Sequence, residues 1–380
     1  MRRGSAPSCK IDMTSSGEGL GRPLRIGVVT PPWFEIPPRA YGGIEWMAYW
    51  LVEGLVKRGH DVVLVAAGTN RTSARFVQTY RIPPSARLGD PMPEVVHAAA
   101  AARALEALDL DVVHDHTLAG PLVARGRSIP TVITAHNPVA SEFGDYYSHL
   151  GNSVSLVAIS DAQRRSAPAL PWVATVYNSI PVHEYPFRED KDNFILFLGR
   201  MSPDKGAHLA IDAARQAKIR LVIAGKCTEP TEHAYFREQI EPRLGPDVEW
   251  VGEADTETKK DLLSHARCLL FPIEWEEPFG IVMVEAMACG TPVVALPHGS
   301  VAEVVEHGLT GYICDDPSQL AAAIADSDAI DPAACRTWVA GKFDVATMVS
   351  GYEMVYKNAI AGHAIAAPIQ LTPAASSVAG

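Results

Sequence analysis

Glu277 and Glu285, eight residues apart in the stretch EWEEPFGIVMVEAMACGTPVVA (274–295), are the residues most able to do chemistry in this chain. Glu277 stands just before Pro-Phe-Gly, and Glu285 falls inside an apolar run. A bare carboxylate in an apolar interior costs several kcal/mol unless it is hydrogen-bonded. Two vicinal hydroxyls of a ribose would supply those bonds, and Glu277 would then meet a sugar. The other reading pairs Glu285 with an arginine elsewhere in the chain and leaves Glu277 exposed.

Cations stand in a comparable position. In GRMSPDKG, Arg200 closes an apolar run and Lys205 follows five residues later, ahead of a helical pattern. An arginine grips phosphate with a planar fork and a lysine adds a mobile point charge. The alternative is a pair of solvated surface cations. Gly42 and Gly43 open another helical pattern, where glycines let backbone amides approach an anion at the positive helix end or simply form a turn. His136, in HNP, could bind a ligand or serve the structure. His114 and His116 fall on one side of a strand, but no third ligand is near in sequence, and a metal site is not expected.

These residues must be positioned by the elements around them. Short β-branched runs alternate with helical patterns from residue 24 onward: strands over 24–30, 61–67, 111–116, 131–136 and 155–160, helices over 42–60 and 94–108. The stretch YNSIPVHEYPF (177–187) interrupts with two prolines and reads as a linker. The rhythm then restarts, with strands over 193–200, 219–225, 248–253, 268–272 and 291–295 and a helix over 206–218. Apolar strands separated by helices imply parallel sheets covered on both faces. In such sheets ligands bind beyond the carboxyl ends of the strands. The loops carrying His136, Arg200, Lys205 and Glu277 all follow strands. The run IVMVEAMACG reads as a helix starting at Phe279–Gly280, whose first amides could hold a phosphate.

A chain of 380 residues exceeds one ordinary core, so two domains are expected. The net charge of −11 disfavours nonspecific nucleic-acid binding. Six cysteines without a CxxC pair, two of them (Cys268 and Cys289) in apolar segments, read as reduced thiols of a cytoplasmic protein. No stretch reaches the ~18 apolar residues of a membrane span. Residues 1–22 and 364–380 read as disordered tails.

Taken together, EPFGIVMVEAMACGTPVVA resembles the E-x7-E signature of retaining GT-B glycosyltransferases of the glycosyltransferase family 4 (group 1) type. GRMSPDKG resembles their G-R-x-x-x-x-K-G segment, and YGGIE their N-terminal glycine loop. The likeness runs from about Leu24 to Ile360. It implies an α/β GT-B fold, two Rossmann-like doubly wound domains facing a central cleft. Residues 23–180 would form the acceptor-side domain and 181–343 the nucleotide-sugar donor-side domain. A helix over 344–363 would cross back to the first.

The resemblance also implies roles. Arg200 and Lys205 would bind the donor diphosphate, with Gly42 and Gly43 against it from the other domain. Glu277 would contact the transferred sugar, helped by the backbone at Phe279, Gly280 and Ile281. Glu285 would bind the ribose, Lys226 would lie near the base, and His136 near the anomeric centre. Two positions depart from the family pattern: Asn137 replaces an acid that often follows the histidine, and Asn178-Ser179 replaces Asn-Gly at the start of the linker.

The expected activity is that of a hexosyltransferase. It would move a hexose, with retention, from a nucleotide diphosphate sugar to an acceptor hydroxyl in polysaccharide, glycolipid or glycoconjugate synthesis, without metal or cofactor. A UDP-sugar is expected ahead of GDP-mannose. The acceptor is not identified by the sequence. Its specificity is assigned to the loops 68–93 and 137–152, and peripheral membrane contact is compatible with an unknown lipid-linked acceptor. The alternatives are another GT-B enzyme, such as a sugar-nucleotide 2-epimerase or a disaccharide phosphorylase, and a non-catalytic sugar-nucleotide sensor.

Overall fold

A computed structural model of the chain describes residues 22–38, 42–69 and 71–365. The expected tails therefore lie almost wholly outside the described residues, as does Cys9.

Thirteen described strands form two sheets, parallel throughout. The first contains β1 (Arg25–Val29), β2 (Asp61–Ala66), β3 (Arg75–Gln78), β4 (Val112–Asp115), β5 (Thr131–Ala135), β6 (Ser155–Ala158) and β7 (Trp172–Thr175), in the order β3-β2-β1-β4-β5-β6-β7. The second contains β8 (Phe194–Leu198), β9 (Arg220–Ala224), β10 (Val248–Trp250), β11 (Cys268–Phe271), β12 (Val293–Ala295) and β13 (Gly311–Ile313), in the order β10-β9-β8-β11-β12-β13. Each order reverses direction once, between β1 and β4 and between β8 and β11. A crevice opens at such a reversal, beyond the strands' carboxyl ends.

The apolar runs fold this way because both faces of the inner strands are covered. Along β2, Val62, Leu64 and Ala66 pack into one apolar cluster, while Val63 and Val65 pack into another on the opposite face. Along β8, Phe194 and Leu196 divide from Ile195 and Phe197 in the same way. Continuous burial, rather than alternation, follows from that arrangement.

The long helix Val345–Ile365 joins the two units. It starts where the amide of Val345 donates to the carbonyl of Ile180 at 3.1 Å. Its Tyr352 and Tyr356 are fully buried against the first sheet's core. Its Glu353 pairs with Arg58 and His60, each at 2.9 Å. One apolar cluster runs through this helix into both sheets, from Val28 to Phe279.

The linker stretch 177–187 is more structured than its prolines suggested. Ile180 bridges to Asp344, and the buried Tyr185 packs into the core. Three strands, β3, β7 and β13, were not anticipated. They are edge or near-edge pieces of three or four residues, and β3 and β7 are largely half-exposed, so their sequences carry little apolar signal.

Candidate active site

The helix Ile281–Ala288 begins one residue after Gly280, whose φ of 72° places it in the left-handed region. A side chain there would also meet Met283 Cε at 2.7 Å, but that methyl is the movable end of its side chain, so the left-handed backbone is what calls for glycine. The first amides of a helix have no partner inside it. Those of Ile281 and Val282 start this one at the cleft. The preceding loop is pinned: Ser300 donates its amide to Glu277 O (3.0 Å) and its hydroxyl to Phe279 O (2.7 Å).

Glu285 is 3% exposed, as its apolar surroundings predicted. Its carboxylate is held by the protein. Lys259 Nζ lies 2.5 Å from Oε1, and the Tyr185 hydroxyl donates to the same atom at 2.8 Å. The partner is thus a lysine and a tyrosine, not the arginine weighed from sequence. Burial next to that carboxylate pushes the Tyr185 hydroxyl well above its usual range. Glu277 pairs with Lys205 and accepts from Trp275 Nε1 at 3.1 Å. The Lys205 ammonium also lies 4.6 Å from the centre of the Trp275 ring. The cation placed for phosphate is therefore already in contact with the carboxylate placed for the sugar.

Arg200 follows β8 and Lys226 follows β9. Both face the buried Glu232: Arg200 Nη1 is 3.8 Å and Lys226 Nζ 4.0 Å from its Oε1. That oxygen has no hydrogen-bond partner among the described residues. The other accepts from the amides of Thr228 (2.9 Å) and Glu229 (3.1 Å). Lys226 also meets Glu229 at 2.7 Å.

Across the cleft the helix Gly43–Lys57 presents its N-terminus, capped by Gly42 at φ 143°. Its Trp46 and Trp50 stack, ring centres 5.4 Å apart, and both line the cleft wall. One pocket thus brings together Gly42, Gly43, Arg200, Lys205, Lys226, Glu277, Gly280, Ile281 and Glu285 from the two sheets. Phe279 and His136 line an adjoining pocket that shares Gly43, Glu277, Gly280 and Ile281 with it. All eleven residues singled out from sequence therefore gather at one cleft.

His136 follows β5. Its Nε2 lies 3.0 Å from Nδ1 of His116, whose ring packs 4.0 Å from that of His114. His114 bonds Tyr356 and Thr134, each at 2.8 Å. Burial lowers the pKa of His114 and of His136 to about 3, and drives that of His116 well below its usual value. Among the described residues no group of three His, Cys, Asp or Glu is placed to hold a metal ion.

Sequence reading missed Lys259, Tyr185, Trp275, Glu232, Trp46 and Trp50. Lys259 stands in TETKKDLL, which looks like any solvated helix face, and the two tryptophans at i, i+4 read as core.

Residues 41–183 match the Glycosyltransferase Family 4 model, and residues 183–328 match that of Glycosyl transferases group 1. The chain is 30% identical to the alpha-maltose-1-phosphate synthase of Mycolicibacterium smegmatis, covering 84% of this chain and 94% of the relative. It superposes on AviGT4, a glycosyltransferase involved in avilamycin A biosynthesis, with TM-score 0.70 and 28% identity over 90% of this chain and 99% of that one. Anabaena HepE in complex with UDP-glucose shares the fold at TM-score 0.68 and 18% identity, over 88% and 100% of the two chains. No helix among the described residues is long and apolar enough to cross a membrane. By these matches, and by its two parallel α/β units, the chain belongs to the group 1, family 4 type glycosyltransferases of the GT-B fold.

Proposed function

We propose that the chain moves a hexose from a nucleotide diphosphate sugar to an acceptor hydroxyl with retention at the anomeric carbon, a UDP-sugar being favoured over GDP-mannose. The observation that carries this reading is the meeting of Arg200, Lys205 and the amide end of Ile281–Ala288 with Glu277 and Glu285 in one cleft. Cations and a helix N-terminus suit a diphosphate, and carboxylates suit sugar hydroxyls. The complex of HepE with UDP-glucose is in keeping with the donor class.

In this reading loss of the diphosphate is the barrier. Arg200, Lys205 and the amides of Ile281 and Val282 stabilise the charge that develops on it. Glu277 orients the sugar, Glu285 the ribose, and Lys226 the base, with the Trp46–Trp50 pair as an apolar wall. Glu277 is held in an ion pair rather than free as a nucleophile. The acceptor attacks from the face the diphosphate leaves, and the departing phosphate takes its proton. The acceptor enters from the first domain, by the pocket that Trp33, Phe34, Glu45, Glu94, Asn137 and Tyr147 form beside His136. With two cations and a helix end on the leaving group, no metal is required.

A panel of UDP-, GDP- and ADP-sugars, with and without candidate acceptors and with and without EDTA, tests this. Nucleotide diphosphate release that depends on acceptor and survives EDTA, with product of unchanged anomeric configuration, is expected. Turnover of the donor without acceptor points to an epimerase, and binding without turnover to a sensor.

A further inference from the structure

His116 and His136 share one hydrogen bond, Nδ1 to Nε2 at 3.0 Å. Burial keeps both rings neutral at pH 7. A neutral imidazole carries a single N–H, so only one of the two facing nitrogens is the donor. Two arrangements satisfy the bond.

In the first, His136 donates from Nε2 and His116 accepts at Nδ1. The proton of His116 must then sit on its Nε2. That atom is buried and has no hydrogen-bond partner among the described residues. In the second, His116 donates from Nδ1 and its Nε2 is a bare lone pair. The partnerless atom is then an acceptor, and buried N–H groups without an acceptor are the rarer defect in folded proteins. The second arrangement puts the proton of His136 on Nδ1. This nitrogen makes no hydrogen bond among the described residues. Its residue lines both the pocket of Glu277 and that of Glu45 and Glu94.

We infer that His116 is a positioning residue that locks His136 as the Nδ1–H tautomer, so that His136 meets an oxygen at the junction of the two pockets as a hydrogen-bond donor and not as a base. No proton leaves His136 in the reaction. The identity of that oxygen, a hydroxyl of donor or acceptor sugar, rests on the proposed function, whereas the tautomer does not.

The test is a long-range proton–nitrogen correlation spectrum of the full chain at pH 7 with nitrogen-15 histidine, the His136 signals being identified by their loss in His136→Gln. A protonated Nδ1 and a bare Nε2 on His136 are expected. A protonated Nε2 on His136 overturns the inference. His116→Asn, whose amide nitrogen stands near the place of Nδ1, should preserve the pattern. His116→Leu, which removes the donor, should lose it and lower kcat about tenfold with donor KM little changed, as for one hydrogen bond made in the transition state. Identical spectra and kinetics for the two variants overturn the positioning role. Affinity of the unaltered chain for UDP, GDP and ADP, measured alongside, separates the two readings: absent binding of all three removes the proposed function and leaves the tautomer standing.

Discussion

Lys259 Nζ lies 2.5 Å from Glu285 Oε1, on the floor of the cleft, with the Tyr185 hydroxyl on the same oxygen. The carboxylate is nearly inaccessible, while the lysine side chain keeps 22% of its surface. Removing the lysine strands a buried charge. Lys259→Ala should therefore destabilise the chain by about 2–3 kcal/mol, below the range for a fully buried pair because the lysine is partly solvated. Urea denaturation checks this, and the double variant with Glu285→Gln should recover part of the loss.

The two glutamates should fail differently. With Glu285 on the ribose as proposed, Glu285→Gln weakens charge-assisted bonds in ground and transition states alike, so UDP should bind weakly and donor KM should rise. With Glu277 on the transferred sugar as proposed, Glu277→Gln alters contacts to the part of the donor that moves as the glycosidic bond breaks, so kcat should fall while UDP binds nearly normally. Isothermal titration with UDP alone separates them. The reverse pattern means the two assignments are exchanged.

Arg200 lines the cleft, and its ion-pair contact among the described residues is a 3.8 Å approach to Glu232. On the proposed function, Arg200→Ala removes a charge-assisted contact to the diphosphate of about 1.5–3 kcal/mol, which predicts a fall in kcat/KM of roughly tenfold to a hundredfold. Unchanged kinetics would move the diphosphate elsewhere.

Glu45 is 4% exposed in the first turn of Gly43–Lys57, and burial raises its pKa to about 7 from 4.5. The folded state therefore holds this proton more tightly than the unfolded state. Stability from this group is fully present below pH 4.5 and declines as pH rises to 7, by about 3 kcal/mol in total. Glu45→Gln should flatten the stability profile across that window in denaturation at stepped pH. An unaltered slope would show that the carboxylate is solvated.

The sequence by itself determined the alternation of strand and helix, hence two parallel sheets. Runs such as Val62–Ala66 must be covered on both faces to hide so much apolar surface. It also determined most of the cleft: residues at strand ends and helix starts, such as Arg200, Gly280 and Gly43, are placed by local geometry that a parallel sheet repeats. Only the tertiary structure decided what each charge touches. Lys259 is 26 and Tyr185 100 residues from Glu285, and Lys205 is 72 from Glu277. Pairings over such separations depend on how the sheets stack and where the linker returns. No residue spacing encodes them. The same holds for His116 and His136, neighbours only because β4 and β5 lie side by side, so that the nitrogen carrying the proton is fixed by packing rather than by residue type.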